Sequence, residues 1–188
     1  MKKKFAFNLI VIVLLNIQMV SAQLSMDSIK IDGLKSFLKV KVGADDGFEW
    51  EQQIGKASVI ALFSGITVGQ ASDSYSSDAP YIIVPSTYIE YRNYYNIAKR
   101  TAKHKNNHNN ASNFLYGRIE TYFPIKNQNY FGLVLAQGWG AQRSLFKRIN
   151  MDCHLGIMEH VYYDKPPNGG FNYLKLEPAI YYSLSYVF

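Results

Sequence analysis

The chain has 188 residues, a single cysteine, 15 tyrosines, 11 phenylalanines and a formal charge of +6 at pH 7. One cysteine excludes an intramolecular disulfide framework, and the length suits one domain. Without Lys2, Lys3 and Lys4 the balance falls to +3, so mild that it argues against nucleic acid as partner, and the aromatic excess favours strands over helices.

The first 22 residues begin with Lys2, Lys3 and Lys4, continue through the apolar run LIVIVLL (Leu9 to Leu15) and reach Val20-Ser21-Ala22. A basic start, an apolar middle and a small-residue cleavage site are the three parts of a secretory signal peptide. Asn8, Asn16 and Gln18 interrupt the run, which falls short of the roughly 20 apolar residues of a spanning helix. Cleavage after Ala22 leaves 166 residues and lowers the charge to +3. The residue directly after the cleavage point is Gln23 and not cysteine, so the lipoprotein route is closed. Residues 23–34 read as a short periplasmic leader and 35–188 as one domain. No later stretch approaches a spanning helix, so a membrane protein here must be a closed barrel.

Segments alternating with the strand period of two then recur eight times. Residues 35–43 set Leu38, Val40 and Val42 against Phe37, Lys39 and Lys41. Residues 46–54 set Phe48, Trp50 and Ile54 against Glu49, Glu51 and Gln53, and a tight Gly55-Lys56 turn follows. Residues 57–69 set Ile60, Leu62, Ile66 and Val68 against Ala61, Phe63, Gly65, Thr67 and Gly69, before a loop by composition, SDSYSSDAP. Residues 81–95 set Ile83, Ile89, Tyr91 and Tyr95 against Tyr88, Glu90, Arg92 and Tyr94. Pro85 within this strand implies a bulge or an irregular start. Residues 112–123 set Leu115, Gly117, Ile119 and Phe123 against Tyr116, Arg118, Glu120 and Tyr122. Residues 130–142 alternate less cleanly, with Gln137 on the apolar face of Phe131, Leu133, Leu135 and Trp139. Residues 148–160 set Ile149, Met151, Cys153, Leu155 and Ile157 against Asn150, Asp152, His154, Gly156 and Met158. After the turn DKPPNGG, residues 172–188 set Leu174, Leu176, Ile180, Tyr182, Leu184, Tyr186 and Phe188 against Lys175, Glu177, Ser183 and Ser185. No repeat, heptad or helix-period segment stands out.

The polar face collects Lys39, Lys41, Arg92, Arg118 and Lys175 together with Glu49, Glu51, Glu90, Glu120, Asp152 and Glu177. A soluble sandwich puts its apolar face inside and its charge outside. An outer-membrane barrel does the reverse, with apolar residues toward lipid and polar ones in the lumen. Eight strands leave an interior that side chains can fill, so these acids and bases, with His154, are expected to pair as a lumen charge network. The predicted fold is an all-β, eight-stranded, antiparallel, up-and-down transmembrane barrel.

The tail supports this. The chain ends YYSLSYVF, with Ile180, Tyr182, Leu184, Tyr186 and Phe188 on one face. That pattern resembles the C-terminal signal of bacterial outer-membrane β-barrels, in which a terminal Phe with apolar residues at alternate positions is recognised by the barrel assembly machinery. The whole mature chain is similar to small eight-stranded outer-membrane barrels of the OmpA-like kind. EYRNYYNIAKR with its Asn-rich continuation looks similar to proteins of Bacteroidota. The resemblance implies a Gram-negative outer membrane, the assembly machinery and membrane lipid as partners, and no assigned activity.

Chemistry-bearing candidates are sparse. Asp152 and His154, two apart on the polar face, could form a Ser-His-Asp arrangement with Ser183 or Ser185, but a place in the charge network is the simpler expectation. Barrels that deacylate lipid A carry a His and a Ser two apart, and no His-x-Ser occurs here. His104 and His108 lie in AKHKNNHNN without a nearby acid or thiol, which reads as a flexible polar turn. Cys153 falls on the apolar face. No cofactor motif is present. Between Glu90 and Glu120 there is no acid, and Lys99, Arg100, Lys103 and Lys105 crowd the connection 97–111. A solvated turn is the plain reading, and a contact with lipid phosphate or an anionic envelope polymer the functional one. The expected role is structural or interactive, with a lipid-modifying enzyme or a narrow channel or small-ligand binder as alternatives.

Overall fold

A computed structural model describes residues 34–70, 81–123, 130–164 and 170–188. The expected signal peptide and nearly all of the leader lie outside the described residues. Eight strands follow one another around a closed antiparallel barrel in chain order: β1 (Phe37–Gly43), β2 (Asp45–Gln53), β3 (Ser58–Gln70), β4 (Tyr81–Asn93), β5 (Asn113–Tyr122), β6 (Tyr130–Phe146), β7 (Ile149–Asp164) and β8 (Gly170–Val187). β8 closes on β1 with Lys39 opposite Val187 and Gly43 opposite Ser183. The Phe188 N–H extends that seam to the Leu38 carbonyl at 3.1 Å. Closure gives every strand two neighbours, although β8 outruns β1 and pairs with it only over Ser183–Val187.

The period-two faces are those of the sequence. Leu38, Val42, Phe48, Trp50, Leu62, Ile89, Ile119, Leu155 and Ile180 stand on the outer wall, with Val42, Phe48 and Ile180 about 60–70% exposed. Lys39, Lys41, Glu49, Glu51, Glu90, Arg92, Arg118, Glu120 and Asp152 are at most 2% exposed inside. Gln137 remains on the outer face of β6, diagonal to Glu159 across the β6–β7 ladder, and both are drawn back from the surface.

Three expectations need correction. Pro85 makes no bulge, since β3 and β4 pair without a register shift from Ser58–Asn93 to Gln70–Tyr81. Its carbonyl accepts from Phe123 N–H, 2.9 Å away, so its absent N–H also faces the β5 side. There β5 is ending, and no β3–β4 bond is lost. β6 and β7 run four residues past the expected ends at 142 and 160. Alternation continues through Gln142 (inward, buried) and Arg143 (outward) to a tight Lys147-Arg148 turn.

The third correction concerns helix. The β4–β5 connection holds α1 (Ile97–Ala102) and a 3-10 turn at His108–Asn110. Six residues cannot display helical amphipathicity, and so short a helix has little stability of its own. α1 is held by Ile97, which is fully buried among Leu34, Ala57, Val59, Tyr94, Phe114 and Tyr116. This apolar cluster fills the barrel at the end that carries the β2–β3 and β6–β7 turns and the tail. Gly140 makes room for it, because a Cβ there would lie 2.2 Å from the Phe114 ring.

Candidate functional site

The charged side chains of β1, β2, β4, β5 and β7 meet inside the lumen, with partners on their own strand, on the next and on strands further round the barrel. Arg92 on β4 reaches Glu90 on its own strand and both Glu49 (2.9 Å) and Glu51 on β2. Arg118 on β5 reaches Glu90 (2.6 Å), Asp45 (3.3 Å) and Glu120 (3.6 Å). Lys39 reaches Glu51, Glu49 (3.2 Å) and Asp152 (3.7 Å), and Lys41 reaches Glu49 at 3.3 Å. Glu90 is the hub, since it also accepts from His154 Nε2 at 3.2 Å. Register explains the adjacency: Glu90 stands opposite Arg118 on β5, and Lys39 opposite Glu49 on β2.

Aromatic rings pack between the charges. The Arg118 guanidinium lies 3.9 Å from the centre of Tyr88 and 4.8 Å from that of Tyr181. Tyr88 stacks on Phe63 and donates its hydroxyl to Glu49. Such contacts offset part of the desolvation cost that buried charges carry.

The structure thus brings together ten of the expected network residues: Lys39, Lys41, Glu49, Glu51, Glu90, Arg92, Arg118, Glu120, Asp152 and His154. Glu177 lies 3.5 Å from His160. The Lys175 side chain lies outside the described residues. Asp45 belongs to the cluster and escaped the sequence reading because β2 starts one residue earlier than the pattern implied. Its odd number, shared with Glu49 and Glu51, was the available signal.

Asp152, His154 and the two serines do not assemble a triad. The hydrogen bond of His154 runs to Glu90, and its ring is enclosed by Phe114, Tyr116 and Tyr181. Asp152 faces Lys39, with Ser183 opposite it in the ladder. Among the described residues no group of His, Cys, Asp or Glu could hold a metal ion. Cys153 is half-buried on the outer-face side of β7.

The Asn-rich connection has a place that its composition concealed. Its 3-10 turn crosses the barrel mouth and is fastened to the far wall. Asn110 donates to Glu51 Oε2 and to the Lys35 carbonyl, both at 3.0 Å, and accepts from the Lys35 N–H. The Asn109 carbonyl accepts from Gln142 and Asn150, and Asn109 Nδ2 donates to the Lys147 carbonyl. His104, Asn109 and Asn110 have φ of 51°, 51° and 59°, a region that Asn enters more readily than other side-chain-bearing residues. The run is therefore an ordered cap and not a flexible turn. On it Lys99, Lys103 and Lys105 are exposed, and Arg100 is bonded to the Asn106 carbonyl and Asn107 Oδ1. His104 and His108 are exposed on the same segment, without an acidic neighbour in sequence.

Compared with protein-family models, curated proteins and solved structures, the chain gives no match.

Proposed function

We propose that this chain is an integral outer-membrane β-barrel whose lumen is sealed by ion pairs and a cap, and that it serves the envelope as a structural or interaction protein. The observation that carries this reading is the inverted wall: apolar side chains exposed all round the outside, paired charges buried inside. In water such a barrel would leave far more contiguous apolar surface exposed than soluble monomers tolerate. In a bilayer the same surface is solvated by lipid. The secretory signal read from residues 1–22 supplies the route of export, and the alternating tail from Ile180 to Phe188 is a handle for the assembly machinery. The tail residues fit that role in being exposed on the outer face at the closing seam.

A sealed interior favours a non-conducting role. Arg92, Arg118 and Lys39 each meet two or more carboxylates, and Asn110 with Gln142 blocks the mouth. His154 lies within the same packing, 2% exposed and bonded to Glu90. The test is fractionation of cells expressing the native chain. The mature protein is expected in the outer membrane, changing mobility on gels when heated. Recovery as a soluble periplasmic protein would overturn the proposal.

A further inference from the structure

The barrel wall is uneven at the end opposite the cap. β1 stops at Gly43 and β2 begins at Asp45, so their hairpin turns through Ala44 alone. β8 pairs with β1 only as far as Ser183, and the Ala44 N–H bonds to the Tyr182 carbonyl at 3.0 Å. Beyond that point β8 runs on beside β7 to Gly170. On the other side of the hairpin β2 leaves β3 at the Asp45–Thr67 pair, while β3 continues beside β4 to Gln70. Past the hairpin tip, β8 and β3 therefore face each other across three strand spacings, roughly 14 Å. The exposed apolar wall continues on both sides of this gap, through Leu176 and Ile180 on β8 and Ile83 on β4.

Along β8 the backbone groups of even-numbered residues face β1, as the bonds of the Phe188 N–H and the Tyr182 carbonyl show. Past the tip those of Ile180, Pro178 and Leu176 face the gap, and among the described residues no strand pairs with that edge. A proline is tolerated within a strand where its missing N–H meets no partner. Pro178 stands at such a place, and β7 pairs through it, Ile157 opposite, without a shift. It also guards the edge against an added strand. The edge is left richer in acceptors than in donors, with three carbonyls against the N–H groups of Ile180 and Leu176. Asp46 adds a carboxylate at the tip: half-buried on the face of Phe48 and Trp50, it accepts from the Gly43 N–H at 2.7 Å.

Backbone groups without partners are costly at membrane depth, so the edge selects an occupant that donates and accepts. An acyl chain does neither. A choline headgroup accepts through its phosphate but has no N–H to give. A primary ammonium next to a phosphate does both. Its three N–H donors suit the carbonyls, its charge suits Asp46, and the phosphate oxygens suit the two edge N–H groups.

We propose that the gap between β8 and β3 binds the headgroup of a zwitterionic phospholipid carrying a primary amine. The ammonium is held by Asp46 and the β8 carbonyls, and the phosphate by the N–H groups of Leu176 and Ile180. The inference rests on the membrane reading above.

The test uses the full mature chain in nanodiscs of mixed phosphatidylethanolamine and phosphatidylcholine, two lipids of equal net charge that differ in N–H donors. Retained lipid is read by native mass spectrometry, and heat modifiability checks that each variant is folded. The native protein is expected to retain phosphatidylethanolamine above its share of the bilayer. Asp46→Asn, which keeps an acceptor for Gly43 and removes the charge, should bring retention down toward the bulk ratio. Glu159→Gln, the same charge change elsewhere on the outer wall, should leave enrichment intact. A second readout needs no loss of charge: p-benzoylphenylalanine in place of Tyr182, beside the gap, should crosslink phosphatidylethanolamine in excess, and in place of Ile119, on the wall of β5, at the bulk ratio. A folded, inserted barrel without enrichment would overturn the site and leave the membrane reading standing. So would equal loss in Glu159→Gln, which would signal diffuse attraction. A Tyr182 probe that reacts only with the chain itself would show the gap filled from within and would overturn the site as well. A chain that fails to enter bilayers at all would overturn both.

Discussion

Glu90 shows how much one residue carries when charges share a dry interior. It accepts from Arg92, Arg118 and His154 at once, so neutralising any partner leaves the others to compete for a changed site. A buried charge that loses its partner typically costs about 3–5 kcal/mol. Arg118→Ala should therefore destabilise the folded barrel by about that much in reversible denaturant titrations. In a Glu90→Gln background the same substitution should cost clearly less, because its strongest partner is already neutral. Solvated lumen charges would give small, additive effects instead. Equal costs in the two backgrounds would refute a coupled network. Most members of the cluster are legible in the sequence as alternate charged positions on strands. Their pairing is not, because Arg92 meets Glu51 across 41 residues of chain, and only barrel closure sets which strands face each other.

At the scale of elements, the cap and the closing strand each make a separate demand. The 3-10 turn stays across the mouth through Asn110, whose side chain bonds to Glu51 and Lys35. Loss of a hydrogen bond to a buried charged group costs about 1.5–3 kcal/mol. Asn110→Ala should lose on the order of 2–3 kcal/mol on that basis, and Lys105→Ala on the exposed outer side of the cap under about 0.5 kcal/mol. Similar values for the two would mean that the cap is not latched. On β8, Phe188 gives the seam one backbone bond and a ring contact with Tyr186 at 5.2 Å. Removing it should weaken the purified barrel only modestly. If the tail is also read during assembly, the same deletion should lower the folded amount in cells far more, as judged by the heat-modifiable band. Matching small effects in both settings would remove the recognition role.

For the whole molecule, the buried ion pairs of the lumen bear on conduction. Among the described residues, ion pairs join β1, β2, β4, β5 and β7 across the lumen, and Asn109 and Asn110 bond Gln142 and Glu51 at the cap end. Purified protein in planar bilayers should give no steady conductance, and stable charge-selective pores would return the channel reading. The sequence by itself determined the strands, their faces and the class of barrel. Those follow from an alternation that each strand carries locally, and inversion of charge is visible once the faces are sorted. It could not determine that β6 and β7 continue beyond their last clean alternation, nor that Pro85 keeps its register. Both depend on what the neighbouring strand offers. Above all it could not show that AKHKNNHNN is an ordered cap. That run has no period and no apolar face of its own. It acquires a conformation from Ile97 sinking into the barrel and from Asn110 reaching Glu51, contacts that exist only once eight strands have closed and brought a distant carboxylate to the mouth.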